Sequence, residues 1–213
     1  MSITLSIYDI FANTIPGFVY LFAINDLIRI LGYSYYDLSK LTSFTQFILI
    51  GLLAYLTGHI FDYISYRLWI RLFQRKATEE QAYKQFREKY HNLRVEFEPK
   101  QWPLLFSVIR HNEFVVANEI EKSKAISLML RNISFGLFLL YLEQLFLTFD
   151  AGFSLPNLVF GLSALVGSIV SFRRGTLFSL RFYTMTYEHA LLYGKSLSEI
   201  LNKEKSKKSG KPA

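Results

Sequence analysis

The chain has 213 residues, of which 51% are hydrophobic and 17% aromatic, yet its formal net charge is +7. It contains no cysteine, which excludes disulfide bonds, cysteine-based zinc sites and a thiol nucleophile. A soluble domain would need a large core to bury so much apolar surface, so the composition favours apolar and charged residues that occupy different stretches of the chain.

Four stretches are apolar and close to the roughly 20 residues that a helix needs to cross the hydrocarbon core of a bilayer. The four predicted spans are residues 15–31, 41–61, 133–149 and 151–172. The second and fourth contain no Asp, Glu, Lys or Arg, and the third is interrupted only by Glu143. Ahead of the first span, residues 6–14 are predicted as a short interfacial helix that ends at Pro16-Gly17, because proline interrupts a helix.

The basic residues are concentrated in two segments outside the spans. Residues 67–131 hold 13 of the 24 Lys and Arg residues and residues 173–211 hold nine, which leaves only Arg29 and Lys40 elsewhere. Segments rich in Lys and Arg stay on the cytoplasmic side of a membrane. We therefore predict a multi-pass protein of the cell inner membrane with both termini in the cytoplasm, which agrees with an even number of spans.

The segments between and after the spans are predicted to be mainly helical. Residues 78–90 begin with a capping-box pattern and carry one apolar face, which indicates a helix. Residues 94–98 alternate in the manner of a short strand, and residues 112–131 form a helical run into the third span. Residues 173–204 are predicted as a further helix, interrupted near Gly194.

These elements predict a mainly α fold: a four-helix transmembrane bundle with helical stalks and a small cytoplasmic α+β cap. Residues 1–73 would hold the interfacial helix and the first two spans, and residues 74–130 a cytoplasmic insert. Residues 131–172 would hold the last two spans. Residues 173–213 would form a cytoplasmic helix followed by a tail of Lys, Ser, Gly and Pro from 205 onward, which is predicted to be disordered.

Charged side chains inside a predicted span are costly and suggest a role. In the predicted orientation Arg29 and Glu143 lie in the outer halves of the first and third spans, at similar depth. Arg29 is expected to pair with Glu143, or with Asp26 one turn away. An interhelical polar clamp and the polar lining of a pore or sensing site both agree with this pattern. The predicted intramembrane polar cluster comprises Asn25, Asp26, Arg29, Glu143 and Gln144.

Polar groups also mark the inner ends of the spans. His59 and Asp62 lie one turn apart and are predicted to pair, with a hydrogen-bonded interface histidine favoured over a proton sensor. Anionic lipid head groups are expected to contact the arginines near the inner interface. These arginines are Arg67, Arg71, Arg75, Arg173 and Arg174.

Small residues recur every four positions in the fourth span, at Ser163, Gly167 and Ser171. Small side chains let transmembrane helices approach closely, so this stripe is predicted to be a packing surface. Its partner is either another span of the same chain or a second subunit. Because four spans bury only a small core, we predict a homo-oligomer.

No catalytic or metal-binding pattern emerges from the sequence. The run Gly161-Leu162-Ser163-Ala164 is similar to the Gly-x-Ser-x of rhomboid proteases, but His59 is offset from Ser163 by about 10 Å along the membrane normal. A hydrogen bond needs about 3 Å, so the protease is rejected. Acidic residues interrupt the basic insert, which argues against nucleic-acid binding. The sequence therefore predicts a protein that is not an enzyme and holds no metal or cofactor.

The opening Ile7-Tyr8-Asp9-Ile10-Phe11, the following Ile15-Pro16-Gly17-Phe18, the four spans and the compact insert define a recognisable layout. This layout resembles the small multipass membrane proteins of bacterial anti-phage defence systems, such as the membrane subunit of the Kiwa system. The resemblance covers the layout and transfers no functional residue.

The resemblance implies an oligomeric inner-membrane component that senses infection or damages the membrane. It also implies a cytoplasmic protein partner, which would engage residues 74–130 and the C-terminal helix. The alternative is an ion channel or transporter subunit, in which the charged residues of the first and third spans line the route.

Overall fold

The structure, a computed structural model, describes residues 7–33, 43–73, 78–92, 97–150 and 152–193. These residues are 92% helical and contain no β-strand, which confirms a mainly α fold. Six α-helices occur in chain order: α1 Ile7–Ile30, α2 Phe44–Phe73, α3 Thr78–Lys89, α4 Trp102–Asn112, α5 Phe114–Asp150 and α6 Leu155–Ala190. Single 3-10 turns lie at Pro99–Gln101 and Leu191–Tyr193.

Four of these helices are long and apolar enough to cross a membrane, as the sequence predicts. The stretches concerned are Ile10–Ile30, Phe44–Leu68, Phe114–Phe149 and Leu155–Tyr193. At about 1.5 Å per residue, the 37 residues of α5 extend about 55 Å, whereas the apolar core of a bilayer is about 30 Å thick. Helix α6, with 36 residues, is nearly as long as α5 and also exceeds the thickness of the apolar core.

The helices divide between two compact units. The first, called here the span unit, comprises Met1–Gln74 and Ala125–Leu177. The second, called here the insert unit, comprises Arg75–Lys124 and Phe178–Ala213. Consequently α5 and α6 each contribute residues to both units.

Helices α1 and α2 of the span unit cross in close backbone contact. A Cβ atom on Gly17 would lie 1.7 Å from the carbonyl oxygen of Ala54, and one on Gly58 would lie 2.0 Å from that of Asn13. No side chain fits at either position, so glycine is what allows the two helices to pack this closely. The pairing of 17 with 54 and 13 with 58 shows that the two helices run antiparallel.

The rest of the span-unit core joins α1 to α5 and α6. Tyr20 and Phe135 form one buried cluster, in which the Tyr20 ring stacks on Phe61 at a centroid distance of 4.5 Å. Ala23, Leu140 and Ala164 form a second small cluster. Alanine at two of these three positions keeps the helices close, which is typical of membrane bundles.

The predicted break at Pro16-Gly17 is wrong. Helix α1 runs without interruption from Ile7 to Ile30 and contains Pro16, so no separate interfacial helix precedes the span. Proline is tolerated in membrane-spanning helices when neighbouring helices surround the freed carbonyl group. Here Pro16 is fully buried, beside the Gly17 crossing with α2.

The insert unit has a core of its own, which is rich in aromatic side chains. Phe86 of α3, Phe97, Leu105 of α4 and Tyr187 of α6 are buried together. The rings of Phe97 and Tyr187 stack at 5.9 Å. A second cluster packs Ile109, Ile120 and Phe182 beside it. Helix α3, Thr78–Lys89, falls within the helix predicted for residues 78–90.

The α+β cap is not supported, because every described element of the insert unit is helical. Residues 94–96 of the predicted strand lie outside the described residues. Phe97 is buried in the aromatic core. The extended Glu98 leads into the 3-10 turn, where its N–H donates to Gln101 Oε1 at 2.9 Å. Of the alternating residues 94–98, Phe97 is thus the one whose burial the structure shows. The described part of the chain contains no strand pairing.

The predicted C-terminal helix is the direct continuation of the fourth span. Helix α6 passes Phe172 and Arg173 without a break and ends at Ala190. In the same way, α5 combines the predicted stalk with the third span. The interruption predicted near Gly194 and the tail from 205 onward lie outside the described residues.

Candidate functional site

The predicted intramembrane polar cluster centres on α1 and α5 of the span unit. Arg29 forms an ion pair with Asp26 on the same helix. Of the two partners that the sequence allows for Arg29, the structure shows Asp26. The Arg29 side chain remains 54% exposed, whereas that of Asp26 is only 13% exposed. Asn25 lies half-buried beside this pair.

Glu143 and Gln144 of α5 complete the cluster and are both buried. The Oε2 atom of Glu143 is inaccessible to solvent and has no hydrogen-bond partner within the part of the chain that the structure describes. The side chain of Gln144 lies against α6, where its Cβ is 3.1 Å from the position that a Cβ on Gly161 would occupy. Glu143 is therefore the one member of the predicted cluster whose buried oxygen is left unsatisfied among the described residues.

The register of α1 against α5 places Asp26 level with Glu143. A Cβ on Gly136 would lie 2.8 Å from the Val19 side chain, and Ala23 packs with Leu140 one turn further along both helices. Both helices run in the same direction at this contact. One more turn along each helix therefore leads to Asp26 and Glu143.

A second polar network joins α2 to α5 near Asp62. Asp62 Oδ1 accepts hydrogen bonds from Arg131 Nη2 at 2.6 Å and from Asn132 Nδ2 at 2.9 Å. His59, the partner predicted for Asp62, is exposed, and its ring packs edge-on against Tyr55 at 4.6 Å. The expected His59–Asp62 pair is therefore replaced by an interhelical ion pair with Arg131.

Three fully buried residues extend this network to α1. The hydroxyl of Ser65 donates to the side-chain oxygen of Asn132, and it also lies 3.0 Å from the carbonyl oxygen of Asp62. The hydroxyl of Tyr20 donates to the backbone carbonyl of Asn132 at 2.7 Å. Asn132 thus links three helices, and a buried polar network of this kind fixes one arrangement of the bundle.

Helices α5 and α6 are joined by a reciprocal pair of serines. Ser134 Oγ donates to the carbonyl of Ser168 at 2.8 Å, and Ser168 Oγ donates to the carbonyl of Ser134 at the same distance. Further along, Ser127 Oγ donates to the carbonyl of Gly175 at 2.8 Å. The close approach of α6 to α5 thus follows Gly161, Ala164, Ser168 and Gly175.

The predicted small-residue stripe coincides with this contact only in part. Gly167 lies against Leu137, whose Cδ1 is 3.1 Å from the position of an added Cβ, and Ser171 is half-buried. Ser163 is exposed, and its hydroxyl donates to Val159 O on its own helix. Packing of Ser163 against another described span of the chain is therefore wrong, and packing against a second subunit stays a prediction.

The arginines predicted to meet lipid head groups are exposed wherever their side chains are described. Arg67 projects over the ring of Tyr63, with 4.9 Å between its Cζ and the ring centroid. Arg173 and Arg174 are exposed on α6. The side chain of Arg71 and all of Arg75 lie outside the described residues.

The surface of the insert unit combines a polar and an apolar feature. Lys89 Nζ donates to Glu188 Oε1 at 2.7 Å, and this carboxylate raises the pKa of Lys89. At the start of α5, Phe114 and Val115 are 64% and 77% exposed. Large exposed apolar side chains beside charged helices are a common feature of protein-binding surfaces.

Sequence reasoning missed the residues that join the helices. Tyr20, Ser65, Asn132, Ser134 and Ser168 carry no charge and fit the composition of ordinary spans. The one available signal is Arg131-Asn132, which directly precedes the third apolar stretch. Among the described residues, no three His, Cys, Asp or Glu side chains come together in a way that could hold a metal ion.

Comparison with protein-family models, with curated proteins and with solved structures finds no match to this chain.

Proposed function

We propose that this protein is a non-enzymatic, oligomeric component of the bacterial inner membrane that belongs to a defence or signalling complex. The span unit anchors it and senses, or perturbs, the state of the membrane. The insert unit engages a cytoplasmic protein partner. The layout resemblance to membrane proteins of anti-phage systems supports the defence role.

The observation that carries this proposal is the length and continuity of α5 and α6. Each helix is nearly twice as long as the apolar core of a bilayer is thick. The start of α5 and the end of α6 belong to a unit with its own aromatic core. A simple membrane anchor would need neither helices of this length nor a second core. Two helices that belong to both units offer a physical connection between a membrane event and an extramembrane surface.

The charge distribution supports a cytoplasmic insert unit. Residues 67–131 and 173–211 carry 22 of the 24 Lys and Arg residues. The connection between α5 and α6 carries none, and the one between α1 and α2 carries only Lys40. By the positive-inside rule, these two connections face outward and both termini face the cytoplasm.

The start of α5 is the surface best suited to hold the partner. Phe114 and Val115 are the most exposed large apolar pair of the described insert unit. Helices α4 and α5, which flank them in the chain, carry a charged pair, Arg110 and Glu121, at 3.3 Å. An apolar centre with a polar rim is the usual anatomy of a protein interface.

Crosslinking in the native host, followed by purification of the tagged full chain from solubilised membranes, tests the proposal. The wild-type chain is expected to retain one stoichiometric cytoplasmic protein, and Phe114→Ser is expected to reduce its recovery at least several-fold. Phe153→Ser, which changes a similarly exposed phenylalanine between α5 and α6, is the control. A wild-type chain without a partner, or equal losses in both variants, would contradict the partner role.

The second candidate function is an ion channel or transporter subunit. The buried Glu143 and the partly buried Asp26 favour it, because intramembrane carboxylates often line transport routes. Ion flux through liposomes that contain only the purified chain would support this function and argue against a pure adaptor. Loss of that flux in Glu143→Gln would place the route along α1 and α5.

A further inference from the structure

Among the charged side chains that the structure describes in the span unit, Glu143 is the most completely buried. The residue is 8% exposed, and its Oε2 atom has neither solvent access nor a hydrogen-bond partner within the described residues. An ionised carboxylate in that setting would lose its hydration and gain no bond in return. Some species must therefore occupy or neutralise this oxygen.

The charged groups that face Glu143 do not neutralise it. On α1, Asp26 brings a second negative charge, and the Arg29 guanidinium is already paired with Asp26. The apolar stretches of α2 and α6, residues 44–58 and 155–172, contain no charged or histidine side chain. Asp37 and Lys40, in the connection between α1 and α2, lie outside the described residues. The test therefore includes Lys40, the one Lys or Arg residue of that connection.

The geometry favours a proton over a metal cation. A hard cation takes about six or more oxygen ligands, whereas Glu143 Oε2 is a single unsatisfied oxygen with an arginine at the neighbouring carboxylate. A proton needs only that one oxygen. It removes the charge of Glu143 and the repulsion between Glu143 and Asp26 across the contact of α1 with α5.

We propose that Glu143 is a proton-binding site of the span unit, with the proton carried on the buried carboxyl oxygen. Binding forms one O–H bond on the carboxylate, and release returns the proton to water. This inference concerns the span unit alone and does not depend on a protein partner.

The consequence is a membrane bundle whose α1–α5 contact responds to proton concentration. With Glu143 neutral, α1 and α5 pack through Val19, Ala23 and Leu140 without charge repulsion. With Glu143 ionised, two carboxylates face each other across the same contact in a medium of low dielectric constant. Loading of the site therefore favours close packing of α1, and release of the proton loosens it.

Infrared difference spectroscopy of the full chain in lipid nanodiscs tests this proposal, because a protonated carboxyl group has its own C=O stretch. Acid-minus-alkaline spectra of the wild-type chain are expected to contain such a band. Glu143→Gln, which keeps the shape of the neutral acid, should lack it. Glu119→Gln, an exposed glutamate of the same helix, should retain it. Identical spectra of the wild-type chain and Glu143→Gln would overturn the proposal.

Further variants separate the proton from other occupants. In Asp26→Asn the band is expected to vanish at lower pH than in the wild-type chain, which keeps the proposal testable if Glu143→Gln fails to fold. A protonated band that appears in Lys40→Gln but not in the wild-type chain would show that Glu143 is ion-paired with Lys40. That result would overturn the proposal. If sodium ions raise the Tm of the wild-type chain but not that of Glu143→Gln, and no protonated band is seen, the site binds a cation and the proposal is wrong.

Discussion

Asn132 is the residue whose side chain does most to hold the span unit together. It donates to Asp62 of α2 and accepts from Ser65, while its backbone carbonyl accepts from Tyr20 of α1. All of these groups except Asp62 are fully buried. A buried donor or acceptor that loses its partner costs more than the bond itself contributes.

Replacement of Asn132 by alanine is therefore expected to lower the free energy of unfolding by about 1–3 kcal/mol. Ser65 loses its side-chain acceptor, and Asp62 keeps only Arg131 as an interhelical donor. Thermal unfolding of the purified chain in detergent measures the change. Ser163→Ala, which removes an exposed hydroxyl bonded only to its own helix, should stay within about 0.5 kcal/mol of the wild-type chain. Equal stability of the two variants would show that the network contributes little.

At the scale of the element, the crossing of α1 and α2 depends on two glycines. A Cβ on Gly17 or Gly58 would overlap a backbone carbonyl, and backbone atoms cannot rotate away as a side chain can. Gly17→Ala and Gly58→Ala should each destabilise the span unit by about 1–3 kcal/mol or more. Gly51→Ala on the same helix has open space within 4 Å and should be neutral or stabilise α2 by up to about 1 kcal/mol. Comparable Tm losses at positions 17 and 51 would contradict the crossing.

In the insert unit, Phe86 fastens α3 to α6. Its ring lies 5.8 Å from both Phe97 and Tyr187, and the residue is fully buried. Phe86→Ala is expected to cost about 3–5 kcal/mol and to release α3, because the cavity opens in the centre of the aromatic cluster. Faster hydrogen exchange across Thr78–Lys89 would report this release. Phe114→Ala, an exposed phenylalanine of the same unit, should leave exchange in α3 unchanged.

The elements themselves were predictable because each depends on a local pattern. The second and fourth spans follow from long runs without charge, and α3 follows from its cap and its apolar face. The break at Pro16 was wrong, because the effect of a proline depends on the helices around it, which no local pattern contains. The strand at 94–98 failed in a similar way, since the burial of Phe97 comes from Tyr187, some 90 residues away.

The candidate site was predictable only in its charged members. Asp26, Arg29 and Glu143 are conspicuous inside apolar stretches, and their common depth followed from helix rise alone. The choice of Asp26 over Glu143 as the partner of Arg29 depends on side-chain directions that the sequence does not specify. The partner of Asp62 could not be inferred either, because Arg131 lies 69 positions away on α5.

At the scale of the whole molecule, the two units bury their apolar side chains in different ways. The predicted spans, residues 15–31, 41–61, 133–149 and 151–172, contain only three charged residues, Asp26, Arg29 and Glu143. The aromatic core of the insert unit is built by residues outside these spans. The insert unit therefore has no need of lipid to bury its apolar side chains. In the proposed function, this unit presents Phe114 and Val115 to a partner while the spans anchor the chain.

The proposed function requires that the insert unit face the cytoplasm and that the connection between α5 and α6 face outward. The chain has no cysteine, so single-cysteine variants can be labelled without a background. Phe153→Cys, in the exposed α5–α6 connection, is expected to react with a membrane-impermeant maleimide in intact spheroplasts. Ser107→Cys, exposed on α4, should react only after the membrane is opened, because the basic residues around it hold that side inside. Labelling of Ser107→Cys in intact spheroplasts would reverse the topology and remove the cytoplasmic partner from consideration.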